Sequence, residues 1–352
     1  MAKNNPFCLS FGREPDRYVE RLDAQTKICD VLESDSPASN SFLIIGVRGS
    51  GKTVLMASIA NKYREAKDWV VISLNPVRDL LEMMAAGLYE EKSLQKAFIE
   101  ASLNLSKFGI GLDLKKVPPI SDIQIAINKM VEIAAKKGKK ILIIIDDVTK
   151  SNNIIAFASA YQDLISRNFP VFMIMTGLFE NVYSLQTDKR CSFLLRSEKL
   201  MLKPLSRRGM ENQYKQTFGC SQEDARRMAA FTRGHSYAFQ VLGYIMWDKE
   251  CSLEEAIPTF DERMSEYCYD KIWEDLSSAE KKMVSLIAHS ETGKIKAKEL
   301  VRLLGTNSNV YSVQRDRLVK KGVLDGSEYG VVSLALPHFE EYVKTVESEY
   351  ND

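Results

Sequence analysis

The sequence has few of the residues that hold metal ions or build disulfide frameworks. Its 352 residues include three histidines, far apart, and six cysteines with no C-x-x-C pair. This spacing gives no sign of a zinc site or a disulfide framework, so reduced thiols in a cytosol are the simplest interpretation. No apolar run is long enough to cross a bilayer, and no secretory core follows the first residues. We therefore expect a cytoplasmic protein with no membrane partner.

The chain also lacks an excess of charge of either sign. Its 48 Lys and Arg residues balance 47 Asp and Glu residues, so the net charge of +1 gives no overall attraction to nucleic acids or membranes. Hydrophobic residues make up 45% of the chain and charged residues 27%, which is ordinary for a globular protein. The length allows two or three domains, each with its own core.

A glycine-rich stretch is the strongest functional motif in the sequence. The apolar run from Phe42 to Ile45 predicts a buried strand, and a helical pattern follows from about Lys52 to Lys67. The residues between them fit G-x-x-x-x-G-K-[ST], a loop whose backbone N–H groups cradle phosphates. We expect Lys52 to reach the β- and γ-phosphates and the Thr53 hydroxyl to bind Mg²⁺. The candidate nucleotide-binding residues are Gly46, Val47, Arg48, Gly49, Ser50, Gly51, Lys52, Thr53 and Val54.

A second apolar run, 140–145, ends in the acids Asp146 and Asp147, which is the Walker B pattern. Parallel strands deliver their carboxyl ends to one edge of a sheet, so Asp146 is predicted to lie beside the phosphate loop and to hold Mg²⁺ through water. Asp147 occupies the place of the general base that polarises the attacking water. Thr176 ends a later strand, where it either touches the γ-phosphate and orients the water or caps the next turn.

The order of the remaining elements predicts three regions. Residues 1–205 read as a lead-in and an α/β core with a parallel sheet, and 206–270 as a lid of amphipathic helices. Residues 271–352 follow the order helix, helix, turn, helix, β-hairpin, which is typical of a winged helix-turn-helix. The further strands are expected at 69–74, 169–177 and 198–202. Helices are expected at about 92–108 and 252–268, and Pro258 and Asp261 are expected to interrupt the second of these.

Three stretches together resemble a known family: the loop from Gly46 to Thr53, the strand that ends in Asp146-Asp147, and the run from Gly234 to Ala238. They look like a P-loop ATPase of the AAA+/STAND group, similar both to origin-recognition-type ATPases and to the nucleotide switches of signalling proteins. The resemblance covers roughly residues 6–345. It implies the strand order 5-1-4-3-2, ATP or ADP with Mg²⁺ as ligands, a lid that contributes His235 to nucleotide binding, and assembly into a homo-oligomer.

The resemblance also implies an adenine contact before the first strand. The family has an apolar-Gly-Arg element there, and here either Val19-Glu20-Arg21 or Phe11-Gly12-Arg13 fits. The first candidate has Glu20 in place of the glycine, so the register stays open. A surface helix on which Arg21 forms an ordinary ion pair is the other interpretation of that segment.

The resemblance also implies which residues take part in ATP hydrolysis. Asp147 stands where AAA+ proteins have Glu, one methylene longer, and the Asp-Asp pair is frequent in STAND switches, so slow hydrolysis is expected. Arg196, just before the fifth strand, matches the place of an arginine finger that acts on a neighbouring subunit's γ-phosphate. Arg190 is the second candidate, and a plain surface arginine is the other interpretation of both.

The C-terminal region leaves double-stranded DNA open as a partner. A helical wheel of 309–321 turns Val310, Tyr311 and Leu318 inward and leaves Asn309, Ser312 and Asp316 outside. The region is not basic overall, although a local cluster is formed by Arg315, Arg317, Lys320 and Lys321, and another by Lys294, Lys296 and Lys298. These clusters are expected on the third and the second helix of the region. A DNA binder needs a basic footprint for phosphates, whereas a winged helix that contacts proteins does not, so both roles remain candidates.

Overall fold

Four apolar runs of the sequence and one short mixed strand form a single parallel sheet. In the computed structural model, which describes residues 4–10, 15–111 and 118–349, the chain divides into two units. The sheet unit consists of Leu22–Ile45 and Lys52–Met201. The helical unit consists of Gly46–Gly51, Leu202 onward and the described residues up to Arg21.

The strands of the sheet unit are β1 Ser41–Ile45, β2 Trp69–Leu74, β3 Lys140–Ile145, β4 Val171–Gly177 and β5 Glu198–Met201. All neighbouring pairs are parallel. Their order, β2-β3-β4-β1-β5, is the predicted 5-1-4-3-2 read from the other edge, so this prediction is confirmed. The inner strands β1, β3 and β4 are almost fully buried, which explains why each is a continuous apolar run rather than an alternating one.

Helices of the sheet unit connect the strands. They are α1 Leu22–Glu33, α2 Lys52–Arg64, α3 Leu80–Glu90, α4 Lys92–Glu100, α5 Ile123–Lys136, α6 Asn152–Ser166 and α7 Phe179–Gln186, with short 3₁₀ helices at Ser106–Phe108 and Lys189–Arg196. The helix expected over 92–108 is shorter than predicted. It ends at Glu100 because Ser102 has a φ of +55°, outside the right-handed helix, and because Leu103 and Leu105 then turn into the core.

The helical unit contains nine further helices and a small sheet among its described residues. The helices are α8 Arg207–Phe218, α9 Gln222–Phe231, α10 Ser236–Lys249, α11 Leu253–Met264, α12 Asp270–Glu274, α13 Ser278–Ala288, α14 Ala297–Leu304, α15 Ser308–Lys320 and α16 Phe339–Glu349. A π-helical turn, Ser265–Tyr269, joins α11 to α12. The strands β6 Lys294–Lys296, β7 Leu324–Asp325 and β8 Val331–Leu334 pair antiparallel in the order β6-β8-β7.

Local sequence explains most helix boundaries in this unit. Ser252 and Ser277 each begin a helix with a capping box, in which the serine and a glutamate three residues later satisfy each other's backbone N–H groups. The expected interruption at Pro258 is wrong, since α11 continues through the proline. The apolar face of α11, with Phe260 and Met264 fully buried, stabilises the helix despite the missing N–H donor.

Two further expectations about the C-terminal region are corrected. Residues 294–296 form strand β6, so Lys294 and Lys296 lie on a strand and not on a helix. Tyr311 and Leu318 are buried as predicted, but Val310 is 43% exposed, because the α15 stripe that packs inward is narrower than the helical wheel assumed. Within the described residues, the model has no helix that combines the length and the apolar character needed to cross a membrane.

Candidate nucleotide site

The carboxylate of Asp146 lies between two hydroxyl groups in the sheet unit. Thr53, in the first turn of α2, donates its hydroxyl hydrogen to Asp146 Oδ2 at 2.8 Å. Thr176, near the end of β4 and fully buried, donates to Asp146 Oδ1. Asp146 is therefore in direct contact with both of these threonines.

The sheet register explains this contact. Ile145, the last residue of β3, pairs with Met175 on β4, so Asp146 and Thr176 are the next residues along two hydrogen-bonded strands. On the other side of β4, Thr176 pairs with Ile44 of β1. Because parallel strands end on the same side of a sheet, the buried register carries these polar side chains to one edge.

Asp147 has an unusual backbone that Thr176 stabilises. Its φ is +50°, a left-handed conformation that costs roughly 1–3 kcal/mol for a residue other than glycine. The Thr176 hydroxyl accepts a hydrogen bond from the Asp147 N–H at 3.0 Å, and the Thr176 carbonyl accepts one from the Val148 N–H at 2.8 Å. The Asp147 side chain is exposed to solvent. Strain of this kind is concentrated at functional sites, although it does not by itself assign a role.

The oxygen ligands at this edge of the sheet suit a magnesium ion. Mg²⁺ prefers hard oxygen ligands, takes one or two from the protein and completes its shell with water and phosphate oxygens. The Thr53 hydroxyl and the Asp146 carboxylate are such ligands and already lie 2.8 Å apart. In the described part of the chain, no group of three or more His, Cys, Asp or Glu residues forms a metal cage. The residues therefore fit an ion shared with phosphate and not an ion held by protein alone.

The glycine-rich loop, Gly46–Gly51, is bonded through its carbonyl groups to other parts of the helical unit. The Arg48 carbonyl accepts a hydrogen bond from His235 Nε2 at 2.8 Å. The next carbonyl, of Gly49, accepts from the Tyr237 N–H at 2.9 Å. Ser236 donates its hydroxyl hydrogen to the Ser50 carbonyl, also at 2.9 Å. The residues 235–237 thus bind three consecutive carbonyl groups of the loop.

Close approach explains why the loop needs glycine. Gly49 and Gly51 have φ values of +71° and +88°, which other residues rarely adopt. A Cβ atom on Gly49 would lie 2.5 Å from the His235 ring and 2.8 Å from the Tyr237 Cβ. The loop glycines therefore serve the contact with residues 235–237 as well as the left-handed turn.

His235 is held in one tautomer by its position at the start of α10. Its Nδ1 accepts the Ala238 N–H at 3.2 Å, as an N-cap does, so the ring hydrogen lies on Nε2 and is donated to the Arg48 carbonyl. The resemblance predicts that His235 binds nucleotide. The structure places its ring on the backbone of the loop.

Arg21 is a half-buried cation whose hydrogen-bond acceptors among the described residues are all neutral. Its guanidinium donates to the carbonyl of Lys203 at 2.5 Å, to the carbonyl of Ser50 at 2.9 Å and to the Ser236 hydroxyl at 3.3 Å. Burial lowers its pKa to about 10, so it is still protonated at neutral pH. No carboxylate pairs with it among the described residues, which leaves its charge uncompensated next to the loop. The alternative element, Phe11-Gly12-Arg13, lies outside the described residues.

The two finger candidates differ in their surroundings. Arg196 is exposed, ends the 3₁₀ helix before β5 and has no ion pair within the described ranges. Arg190 forms a two-point ion pair with Asp188, at 3.0 and 2.9 Å, and this pairing lowers the pKa of Asp188. Arg190 is therefore committed within the chain, whereas Arg196 is available to another molecule.

Sequence reasoning missed the contacts between the loop and the C-terminal region. Arg48 forms an ion pair with Asp275 at 3.7 Å, and Val47 lies against Gly322, where a Cβ would approach it to 3.0 Å. The Ser50 hydroxyl is buried and has no hydrogen-bond partner in the part of the chain that the structure describes. The Arg48–Asp275 and Val47–Gly322 contacts join residues more than 200 positions apart, so no local sequence pattern predicts them.

The sheet order, the glycine-rich loop and the acid at the end of β3 define a P-loop ATPase fold. The chain belongs to the family described as an ATPase domain predominantly from Archaea, whose model matches residues 18–228. Membership of this family supports nucleotide binding by the chain. A second family model, described as a domain of unknown function, matches residues 266–343. No curated protein matches this sequence.

Two solved structures with TM-scores above 0.5 show the same fold at low sequence identity. The Aeropyrum pernix ORC2 protein in its ADPNP-ADP complexes superimposes with a TM-score of 0.57 and 13% identity, over 94% of this chain and 93% of that one. The ADP form of the same protein gives 0.51 and 15%, over 97% of each chain. Cdc6p from Pyrobaculum aerophilum gives 0.49 and 13%, again over 97% of each chain.

Proposed function

We propose that this protein is a molecular switch that binds ATP with Mg²⁺ and hydrolyses it slowly. One observation carries the proposal: residues 235–237 and Arg21 bind the carbonyl groups of the same loop whose N–H groups the motif assigns to phosphate. A nucleotide that rearranges this loop must strain or break those hydrogen bonds. Nucleotide state and the conformation of the helical unit are then coupled.

Each residue of the site has a proposed role. Gly46–Val54 bind the phosphates, and Lys52 supplies a positive charge to the β- and γ-phosphates. Thr53 and Asp146 hold Mg²⁺, which supplies charge stabilisation to the triphosphate when it is bound. Asp147 is the general base for water and Thr176 fixes its backbone. Arg21 and His235 sense the bound nucleotide through their hydrogen bonds to the loop carbonyl groups. Arg196 is an arginine finger that contacts the γ-phosphate of a neighbouring subunit in a homo-oligomer.

Slow turnover is part of the proposal. Asp147 is one methylene shorter than the glutamate of rapid AAA+ hydrolases, and its side chain is exposed. The ORC2 structures with a similar fold were solved as ADPNP-ADP complexes and as an ADP form. These complexes support ATP and ADP as the two ligands of a switch.

We also propose three functional regions, with the core at 1–205, the lid at 206–270 and a winged helix-turn-helix at 271–352. The order α13, β6, α14, α15, β7, β8 and the antiparallel pairing of the three strands support the last of these. In the first form of the proposal this module contacts double-stranded DNA. Its phosphate contacts would come from exposed cations of β6 and α14 with no ion pair in the described residues, namely Lys296, Lys298 and Arg302.

A second candidate function is a signalling scaffold that holds nucleotide and uses the module for protein contacts only. The basic residues of α15 favour it, because they are already bonded within the module. Arg315 donates to the Gly326 carbonyl at 3.0 Å, Lys320 pairs with Asp316 at 2.6 Å, and Lys321 pairs with Glu280 at 2.9 Å. Meanwhile Val310 and Val313 are 43% and 70% exposed on the same helix.

Two measurements test the proposal. Hydrogen exchange with ATP against ADP should change protection in 233–237 and in 268–322 if the switch operates, and identical exchange would remove it. Binding of labelled duplex DNA at several salt concentrations separates the two forms, since phosphate contacts give a steep salt dependence. If the affinity for DNA does not change with salt concentration, the signalling scaffold is the favoured function. A steep slope that Lys298→Ala and Arg302→Ala reduce would support DNA.

A further inference from the structure

The helical unit contains a cavity that the nucleotide site does not use. It lies where α8 and α10 end and where α9 and α11 begin, and its volume is about 830 Å³. Pockets for small molecules typically have about 300–1,000 Å³ and combine apolar walls with a few polar groups. None of the residues proposed to bind nucleotide lines it. Its apolar wall consists of Phe218, Met228, Met246, Trp247 and Leu253.

The charged groups of the cavity are mostly acidic. Four carboxylates line it, and the one cation among the described lining residues is Arg227. Arg227 already pairs with Glu254 and lies 3.9 Å from Asp224. These two acids stand in the first turns of α11 and α9, where a negative charge stabilises a helix, so they need no ligand to explain them.

The other two carboxylates have no such explanation. Asp248 is in the last turn of α10 and Glu250 follows that helix with a φ of +50°. A helix C-terminus carries partial negative charge and disfavours acids, and α8 also ends at this cavity. Neither Asp248 nor Glu250 has a cationic partner in the residues that the structure describes. Lys249, between them in the chain, donates to the Thr259 hydroxyl at 2.8 Å instead. The end of α10 therefore presents two exposed carboxylates, with no ion pair among the described residues, beside an indole ring.

We propose that this cavity binds an organic cation, a guanidinium or ammonium group on an apolar or aromatic stem. The stem packs against Trp247 and the two methionines, whose flexible thioethers adapt to different shapes. The cationic group lies near Asp248 and Glu250, and the Trp247 ring adds a cation–π attraction. Such a ligand is either a free amine or an arginine side chain on a peptide, and both share this chemistry.

Isothermal titration calorimetry of the full chain tests the proposal with matched probes. Ac-Phe-Arg-NH2 is compared with Ac-Phe-citrulline-NH2, which has the same shape without the charge, and phenethylamine represents a free amine. We expect the arginine peptide to bind at least about tenfold more tightly than the citrulline peptide, since a tenfold ratio is about 1.4 kcal/mol. Binding of the peptide alone identifies a peptide source, and binding of phenethylamine alone a free amine. Measurable binding of the arginine and citrulline peptides with equal affinity, or no binding of either the arginine peptide or phenethylamine, overturns the proposal.

Variants and thiol labelling locate the site. Asp248→Asn with Glu250→Gln should remove the preference for charge, whereas Glu262→Gln, on α11 but outside the cavity, should not. Cys220 and Cys251 line the wall, and burial raises the pKa of both thiols. A saturating cation should slow their alkylation by iodoacetamide and leave Cys8, which is not in the wall, unchanged. Because labelling uses the unaltered chain, unprotected thiols contradict the location even if a variant fails to fold.

Discussion

Thr53 and Asp146 are hydrogen-bonded at 2.8 Å although 93 residues separate them in the chain. The bond joins the first turn of α2, which directly follows the glycine-rich loop, to the acid at the end of β3. In the proposed site the triphosphate would lie close to Thr53, because only Lys52 separates Thr53 from the loop in sequence. The contact between Thr53 and Asp146 is what supports these two residues as the proposed Mg²⁺ ligands.

Lys52→Ala should abolish most nucleotide binding and leave the fold intact, because Lys52 is half-buried at the start of α2 and belongs to no hydrophobic core. Loss of a charged hydrogen bond of roughly 2–3 kcal/mol weakens binding about 30–150-fold. Titration calorimetry measures the affinity and circular dichroism the fold. Lys62→Ala, at the other end of α2, is the matched control. Unchanged affinity in Lys52→Ala would contradict its role.

Asp147→Asn should lower steady-state ATP hydrolysis about 10²–10⁴-fold without changing ATP affinity, since a general base contributes about this much. Asparagine tolerates the left-handed backbone of Asp147, so the turn should persist. Phosphate release measures the rate. If the variant hydrolyses ATP as fast as the wild type, Asp147 is not the base.

Gly49→Ala should disturb the loop more than its backbone angle alone explains. An alanine at a φ of +71° costs roughly 1–2 kcal/mol, and the new Cβ would also lie 2.5 Å from the His235 ring. Gly219→Ala is the matched control, because Gly219 has a φ of +62° with no atom within 4 Å of the added Cβ. The melting temperature and the ATP affinity should both fall further in Gly49→Ala than in Gly219→Ala. Equal losses in the two variants would mean that the contact with His235 contributes nothing.

Arg48→Ala should uncouple the loop from the C-terminal region by removing the ion pair with Asp275. We expect nearly unchanged ATP affinity, because the backbone of the loop binds the phosphates, and a smaller nucleotide-dependent change in hydrogen exchange over 268–322. The control is Arg190→Ala, which breaks an ion pair elsewhere. A full exchange response in Arg48→Ala would show that the signal takes another route.

His338 should make stability depend on pH. Its ring hydrogen bond to Asp261 raises its pKa above the ordinary 6.5, against the opposing effect of burial. A raised folded-state pKa contributes stability that is complete below about pH 6.5 and is lost as the pH rises through the folded value. The melting temperature should therefore fall above neutral pH, and His338→Asn, which tolerates the φ of +56°, should remove that component. An identical pH profile in the variant would refute the assignment.

Buried parallel strands made much of the fold predictable. Continuous apolar runs ending in polar residues revealed β1, β3 and β4, and the loop motif fixed the first candidate site. Short or exposed features were not predicted: the three-residue strand β6 was expected to be helical, and Val310 was expected to be buried. The bonds from residues 235–237 to the loop join segments 186 or more residues apart, so they depend on tertiary packing that no local pattern encodes.

The most direct test is the affinity of the purified protein for ATP with and without Mg²⁺, compared between the wild type and Asp146→Asn. The proposed site predicts that Mg²⁺ tightens ATP binding to the wild type and that the variant loses most of this effect. An absence of ATP binding, or the same Mg²⁺ dependence in both proteins, would contradict a triphosphate and its metal ion at Thr53 and Asp146.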